Sequence, residues 1–316
     1  MSHRSWSALL LAVLVLLSAC AATDPGTTPL AERRPGAASS AAGRWAQQDH
    51  WLPVAEASGT ARLIFGRSCH PGGTGKKRLV VINHGKSPIA AERAAYVPPS
   101  CESEAVRWFL ERGLAVFIPV RRGFGATGGT MPEGYPTCAP SRDYTAGARE
   151  AARDIHAAIS YAVAMPGIAA SEVAVIGQSA GGLAAIAFSS LSDPRVTAVV
   201  NIAGGDGSRL NRVANAVCEA PALLRAMTSF GATARVTMLW IYTANDSYFA
   251  PELAQAMHRA YTEAGGQARL ASLLAWGDDG HILFFARGGS AVWGPLVEPF
   301  LGLPPMPTPG SALRRN

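Results

Sequence analysis

The chain has 316 residues, 48% of them hydrophobic and 16% charged, and this favours one large domain of α/β type over two small ones. Its formal net charge of +6 comes from lysine and arginine residues scattered in short groups, without zinc-ligand spacing or a recognition-helix pattern. We therefore attribute the charge to solubility or to attraction toward anionic surfaces, and we exclude a nucleic-acid-binding protein.

The amino-terminal segment has the pattern of an export signal, and we expect it not to belong to the folded domain. Arg4 provides a basic start, and the apolar run 8–19 is too short to span a bilayer as a helix. The run ends in L-S-A-C at residues 17–20, which resembles the lipobox of bacterial lipoproteins. The resemblance implies cleavage before Cys20 and lipid attachment to its thiol, giving a cell-envelope lipoprotein anchored to the membrane on the periplasmic face. An ordinary secretory signal without lipid attachment is the alternative, and either signal exports the protein.

Composition divides the chain into a signal peptide, a tether, a folded domain and a tail. We assign residues 1–19 to the signal peptide. Residues 20–44, rich in alanine, threonine, proline and glycine without a hydrophobic period, are predicted to form a flexible tether. The folded domain then covers residues 45–302, and residues 303–316 form a loose, proline-rich tail.

Within the folded domain, short apolar runs alternate with longer stretches in which apolar residues have helical spacing. The first half predicts strand 61–65, strand 79–82, helix 102–112, strand 114–120 and helix 144–164. The second half predicts strand 173–176, a helix to residue 190, strand 197–203, helix 211–229, strand 236–242, helix 251–264, strand 269–274 and helix 291–301. This alternation predicts an α/β fold with a mostly parallel central sheet and helices on both faces. No G-x-G-x-x-G follows the first strand and no G-x-x-x-x-G-K-[ST] occurs, which weakens a dinucleotide- or nucleotide-binding function.

The segment from residue 172 to residue 187 combines an apolar strand, a sharp turn and a helix. Its turn, G-Q-S-A-G at residues 177–181, matches the nucleophile-elbow pattern G-x-S-x-G. In that arrangement Ser179 lies on a strained turn with an exposed hydroxyl, and side chains two positions either side would collide with the neighbouring strand and helix. We therefore predict that Ser179 is a nucleophile, with an ordinary glycine-serine turn as the alternative.

A serine nucleophile needs a histidine to take its proton and an acid to orient that histidine. Asp246 and His281 each follow a predicted strand, and both come after Ser179 in the chain. We predict His281 as the base, because the other histidines fall inside predicted helices or before the nucleophile. Asp246 is the predicted acid. Its rivals, which lie near another strand end or beside the histidine, are Asp206, Asp278 and Asp279.

The oxyanion of a tetrahedral intermediate needs two fixed N–H donors. We predict the backbone amide of Ala180, directly after the nucleophile, as the first donor of this oxyanion hole. The second is expected from the loop after the second predicted strand, where His84 and Gly85 let the backbone bend, and we favour Lys86 over Ser87. His84 itself is expected to have a structural role.

From about residue 79 to residue 300 the sequence resembles the α/β-hydrolases, and most closely their dienelactone hydrolase-like and prolyl oligopeptidase-like branches. The matching motifs are H-G at 84–85, R-G-F-G at 122–125, G-Q-S-A-G at 177–181, N-D-S-Y-F at 245–249 and D-G-H at 279–281. The resemblance implies the roles of nucleophile, acid and base for Ser179, Asp246 and His281. Two features depart from those branches: dienelactone hydrolases use a cysteine nucleophile, and prolyl oligopeptidases carry a propeller that no segment here is long enough to form.

These observations together predict an exported serine hydrolase that cleaves a small-molecule ester through an acyl-enzyme, without a metal or cofactor. A peptidase or amidase with the same triad is the alternative among enzymes, because the fold supports both activities. A non-catalytic envelope protein that binds a ligand on a hydrolase scaffold is the alternative outside enzymes, and the intact triad argues against it.

The four cysteines after the lipobox form an even set, as expected in an oxidising compartment. Cys69 and Cys101 flank the second predicted strand, while Cys138 and Cys218 follow strands whose carboxyl ends are expected near Ser179. We therefore favour the pairs Cys69–Cys101 and Cys138–Cys218 over the other pairings and over four free thiols.

Overall fold

The computed structural model describes residues 33–41, 43–56, 59–134 and 138–304. The predicted signal peptide, the lipobox cysteine Cys20 and the tail beyond residue 304 lie outside the described residues. Among the helices within the described ranges, none is both long enough and apolar enough to cross a membrane.

One sheet of nine strands runs through the described part of the chain. The strands are β1 Gly36–Ala41, β2 Ala46–Ala55, β3 Ala61–His70, β4 Leu79–Asn83, β5 Ala115–Val120, β6 Val173–Gln178, β7 Val196–Ile202, β8 Met238–Thr243 and β9 Ala268–Leu273. Their order across the sheet is β1-β2-β3-β5-β4-β6-β7-β8-β9. The pairs β1–β2, β2–β3 and β3–β5 are antiparallel. The pairs β5–β4, β4–β6, β6–β7, β7–β8 and β8–β9 are parallel. The predicted mostly parallel sheet is confirmed.

Helices cover both faces of this sheet. In the described residues they are α1 Ala90–Ala94, α2 Glu104–Leu110, α3 Tyr144–Ala162, α4 Ala180–Ser189, α5 Ala220–Gly231, α6 Pro251–Glu263 and α7 Ser290–Phe300. Helices α3 to α6 pack into one hydrophobic core, and α2 and α7 pack into another. Alternate side chains of each central strand enter opposite cores, as Val81 and Val80 do in β4. Burial on both faces explains the continuous apolar runs of these strands.

The structure differs from the predicted tether at residues 36–41, which form β1 and pair antiparallel with β2. This strand consists only of glycine, alanine and serine, and most of its residues are exposed. Backbone pairing at the edge of the sheet holds it there. Because it buries no apolar face, a hydrophobic pattern cannot reveal it.

The helix predicted over residues 211–229 begins only at Ala220. Residues 203–219 instead form a loop, hereafter the 203–219 loop. Its non-glycine residues with positive φ are Ala203, Arg209, Asn211, Arg212, Asn215 and Glu219. A left-handed backbone cannot continue a right-handed helix, whereas Pro221 suits the first turn of α5. The first part of that helix prediction is therefore wrong.

Both favoured disulfides are present. Cys69–Cys101 joins the end of β3 to the loop before α2, and Cys138–Cys218 joins the loop after β5 to the 203–219 loop. The Cα atoms of each pair are 5.6 Å apart. Two disulfides fit an exported protein, because oxidising compartments preserve them.

Candidate active site

Ser179 occupies the turn between β6 and α4 in a strained backbone conformation. Its φ of 57° and ψ of −125° lie outside the regions that residues with side chains ordinarily adopt. A Cβ added to Gly177 would lie 2.0 Å from the Gly181 carbonyl oxygen, and one added to Gly181 would lie 2.3 Å from the Asn83 carbonyl oxygen. The turn therefore requires both glycines, for the packing reason expected from the sequence.

A line of hydrogen bonds connects the side chains of Ser179, His281 and Asp246. His281 Nε2 lies 3.0 Å from Ser179 Oγ, and His281 Nδ1 lies 3.0 Å from Asp246 Oδ1. These contacts fit an imidazole whose Nδ1–H donates to the carboxylate and whose Nε2 accepts from the serine hydroxyl. Only 8% of Ser179, 5% of His281 and 1% of Asp246 is exposed, so the line is largely shielded from solvent.

Backbone amides and an aromatic ring hold the side chains of Asp246 and His281 in place. Asp246 Oδ1 accepts hydrogen bonds from the amides of Tyr248 at 2.8 Å and Phe249 at 3.0 Å. The Tyr248 ring stacks on the His281 imidazole with 3.9 Å between centroids and 17° between planes. Gln178 Nε2 donates to the His281 carbonyl oxygen at 2.9 Å. No role was predicted for Tyr248 or Gln178, although both lie inside sequence motifs, at 245–249 and 177–181.

The three rival carboxylates make other contacts. Asp279 accepts hydrogen bonds from the Ser247 hydroxyl at 2.6 Å and from the His281 backbone amide at 3.0 Å. Burial raises the pKa of Asp279, but the hydrogen bonds outweigh burial and hold this pKa below its ordinary value. Asp206 forms an ion pair on the wall of the cleft described below, and Asp278 is exposed.

The two amides predicted to stabilise the oxyanion belong to residues that line the same cleft as Ser179, namely Ala180 and Lys86. Neither amide donates a hydrogen bond to another described residue. A Cβ added to Gly85 would lie 2.7 Å from the Gln178 side-chain oxygen and 3.2 Å from Ser179 Cβ, so glycine lets this loop approach the elbow closely. The arrangement leaves both amides available for an oxyanion, and their role stays a prediction.

Arg121 fixes the loop that leads from β4 to the cleft. Its Nη1 donates to the His84 carbonyl oxygen at 2.6 Å, and its Nε pairs with Glu133 at 2.8 Å. The Arg121 amide donates to His84 Nε2 at 3.2 Å, while His84 Nδ1 donates to the Gly85 carbonyl oxygen at 2.7 Å. Burial, with a smaller contribution from Arg121, holds the pKa of His84 well below its ordinary value, so the ring is neutral. His84 thus makes the structural contacts expected of it, whereas the role of Arg121 was not predicted.

A cleft of about 440 Å³ opens beside Ser179. Its walls include the loop after β4, the Cys138–Cys218 disulfide and the 203–219 loop. The volume falls within the range of sites that bind small molecules. The hydroxyl of Ser179 is therefore accessible from a cavity of suitable size for a small substrate.

No protein-family model matches this sequence, and no curated protein is significantly similar to it. The structure is similar to an acetyl xylan esterase from Paenibacillus sp. R4, with 18% identity, a TM-score of 0.57, and coverage of 87% of this chain and 90% of that one. It is also similar to a putative dienelactone hydrolase from Klebsiella pneumoniae, with 12% identity, a TM-score of 0.52, and coverage of 81% and 98%. An acylaminoacyl peptidase from Pyrococcus horikoshii gives 12% identity, a TM-score of 0.56, and coverage of 84% of this chain and 43% of that one.

At sequence identities this low, structural similarity shows a shared fold and does not show a shared activity. Together with the mostly parallel sheet and the helices on both faces, it shows that the chain has the α/β-hydrolase fold, as the sequence predicted. Proteins with one fold differ in the reactions they catalyse, so the activity depends on the residues of this site.

Proposed function

We propose that this protein is a serine hydrolase that cleaves a small-molecule ester through an acyl-enzyme. The observation that carries the proposal is the buried line of hydrogen bonds from Ser179 through His281 to Asp246. Ser179 is the nucleophile, His281 the general base and Asp246 the acid that holds the imidazole. Each group has the hydrogen-bond partner that its role requires, because the serine hydroxyl contacts the imidazole and the imidazole contacts the carboxylate.

The geometry supports an acyl-transfer mechanism. Ser179 Oγ attacks the carbonyl carbon of the ester while His281 Nε2 takes the hydroxyl proton. The amides of Ala180 and Lys86 bind the oxyanion that forms, and Asp246 stabilises the imidazolium. Collapse of the intermediate breaks the ester C–O bond, and His281 returns the proton to the leaving alkoxide. Water then repeats the same steps on the acyl-enzyme and regenerates Ser179.

The choice of an ester substrate has support outside the triad as well. Solved structures that share this fold include an acetyl xylan esterase and a cold-adapted esterase from an Arctic intertidal metagenomic library. An acylaminoacyl peptidase shares it too, so cleavage of an amide is the competing outcome. The size of the cleft favours a small substrate in either case.

We propose further that the protein works outside the cytoplasm, anchored through Cys20 as a lipoprotein of the bacterial cell envelope. The L-S-A-C motif supports this location. The two disulfides support export independently, because they lie in the folded domain rather than in the signal.

A substrate profile tests the proposed reaction. The purified protein is assayed against 4-nitrophenyl esters of increasing acyl length and against peptide 4-nitroanilides, with Ser179→Ala as the matched control. We expect ester turnover that Ser179→Ala lowers by roughly 10⁴- to 10⁶-fold. Turnover of anilides above esters would make the protein a peptidase or amidase, and turnover retained in Ser179→Ala would remove this serine from the mechanism.

A further inference from the structure

The cleft beside Ser179 carries an excess of positive charge. Among the described residues that line it, the cationic side chains are Lys86, Arg93, Arg142 and Arg209, and the one carboxylate is that of Asp206. The cleft therefore has three more positive than negative side chains. Concave walls of low polarisability strengthen such a field, because they exclude the water that would screen it.

Asp206 neutralises only part of this charge. Its Oδ2 lies 2.6 Å from Lys86 Nζ and 3.3 Å from Arg142 Nη2, and all three side chains are largely buried. Burial raises the pKa of Asp206, but the two cations outweigh burial and lower this pKa below its ordinary value. The carboxylate is consequently ionised at neutral pH, and this cluster retains one net positive charge.

Arg93 and Arg209 form no ion pair with a described carboxylate. Arg93 Nη1 donates to the carbonyl oxygens of Ser87 and Pro88, each at 2.9 Å, and Arg209 Nη1 donates to Ser247 Oγ at 2.7 Å. These bonds orient both guanidinium groups. Within the described residues, the Nε and Nη2 groups of both arginines have no hydrogen-bond acceptor. The two arginines thus keep donors available for a ligand.

Other described carboxylates lie near the cleft, but none of them lines it. Glu92 accepts a hydrogen bond from the Ser87 hydroxyl, and Asp279 accepts one from the Ser247 hydroxyl. Neither carboxylate lines the cleft itself. Glu133 is neutralised by its ion pair with a fully buried arginine. Asp246, whose Oδ1 accepts hydrogen bonds from the Tyr248 and Phe249 amides, also lies outside the lining. Among the charged side chains that line the cleft, the positive ones therefore predominate.

Arg209 also lies close to the reacting groups. Its guanidinium carbon is 5.2 Å from the centroid of the Tyr248 ring, and that ring stacks on His281. The same cleft is lined by Ser179. An anionic group held by Arg209 would consequently belong to the molecule whose ester is being cleaved.

We infer that this cleft is an anion subsite, and that the substrate is an ester that carries a carboxylate bound by Arg93 and Arg209. A guanidinium presents paired N–H donors that match the two oxygens of a carboxylate. This assignment rests on the proposed function, since the ester is the bond that Ser179 attacks. The anion subsite predicts the charge of the substrate, which the triad alone does not determine.

Two matched esters test the subsite by turnover. Mono-4-nitrophenyl adipate carries a free carboxylate, and its methyl ester, 4-nitrophenyl methyl adipate, has the same adipoyl chain with the charge removed by one added methyl group. We expect the parent kcat/KM for the anionic ester to exceed that for the neutral one by at least about tenfold, as hydrogen bonds to charged groups allow. Arg93→Gln and Arg209→Gln should each lower this ratio at least about threefold, and the double variant should bring it close to one.

Arg225→Gln is the matched control, because Arg225 is exposed on α5 and does not line the cleft. It removes the same net charge, so its ratio should equal that of the parent. Equal kcat/KM values for the two esters in the parent would overturn the subsite while leaving the proposed hydrolase intact. A ratio that falls as much in Arg225→Gln as in Arg209→Gln would overturn it too.

Calorimetric titration with adipate tests the subsite without turnover. The parent should bind adipate, and Arg93→Gln and Arg209→Gln should each bind it at least about threefold more weakly. If the parent cleaves neither ester, adipate binding weakened by these variants still supports the subsite while the proposed hydrolysis fails. Failure of the parent to bind adipate overturns the subsite.

Discussion

Replacing Arg121 with methionine removes the group that ties the loop after β4 to Glu133. Arg121 is fully buried, and its Nε and Nη2 lie 2.8 Å and 3.1 Å from the carboxylate oxygens of Glu133. Glu133 is only 7% exposed, so Arg121→Met leaves a buried carboxylate without its cation. We expect this to lower the free energy of unfolding by about 3 to 5 kcal/mol. With a urea m-value of about 1 to 3 kcal/mol/M, the unfolding midpoint should fall by about 1 M or more.

The double variant Arg121→Met with Glu133→Leu separates stability from positioning. Removal of both charges leaves no unpaired buried carboxylate, so much of the lost stability should return. The His84 carbonyl oxygen still lacks the donor that lay 2.6 Å away, and the loop that carries the Lys86 amide is no longer held. We expect kcat for a 4-nitrophenyl ester about 10- to 100-fold below the parent, because complete loss of an oxyanion donor costs about 10²- to 10³-fold.

Urea unfolding, monitored by circular dichroism, measures the unfolding midpoint, and steady-state ester hydrolysis measures kcat. Both are measured on one preparation. Arg112→Met is the matched control, because its ion pair with Glu298 at 2.8 Å involves no residue of the cleft. Its kcat should equal that of the parent. A double variant with a recovered midpoint and a kcat within twofold of the parent would refute the positioning role of Arg121.

Two further variants test other parts of the molecule. Cys20→Ala should move the protein from the membrane fraction to a soluble or unprocessed form, because it removes the thiol that carries the predicted lipid anchor. Stable attachment needs more than one acyl chain, so the rest of the protein does not replace this anchor. Fractionation with amino-terminal sequencing measures the change. A parent that is soluble after export and begins at another residue contradicts the lipid anchor. His50→Gln tests a buried histidine whose pKa falls from 6.5 to about 4, chiefly through burial and against the opposing charge of Asp49. Because the folded-state pKa lies below the unfolded one, this contribution to stability is complete above pH 6.5 and is lost as the pH falls toward 4. The difference in unfolding free energy between parent and His50→Gln should therefore shrink between pH 7 and pH 5, and a constant difference contradicts a lowered pKa of His50 in the folded state.

The elements that place the candidate triad could be predicted because their signals are local. A buried strand in a parallel sheet is a short apolar run, and glycines mark the turn that holds Ser179. Asp246 and His281 were found by their positions after strands, since the carboxyl ends of parallel strands share one edge of the sheet. The structure brings these three side chains together as the chain order suggested.

Features that depend on contacts between residues far apart in the sequence have no local sequence pattern. Strand β1 buries no apolar face, and the left-handed residues of the 203–219 loop include alanine and arginine, which ordinarily favour a helix. The pairing of Arg121 with Glu133 and the stacking of Tyr248 on His281 join segments whose approach is set by the whole fold. The charge of the cleft likewise combines arginines from three separate loops and helices, so only the folded chain reveals it.

Covalent labelling tests most directly whether Ser179 is the nucleophile of a serine hydrolase. The parent is treated with a fluorophosphonate probe, and intact-mass measurement with peptide mapping locates the adduct. We predict one adduct per chain, on Ser179, with labelling abolished in Ser179→Ala and strongly slowed in His281→Ala, because the base must take the serine proton. An unlabelled, folded parent, or an adduct on another residue that persists in Ser179→Ala, would contradict the proposed mechanism.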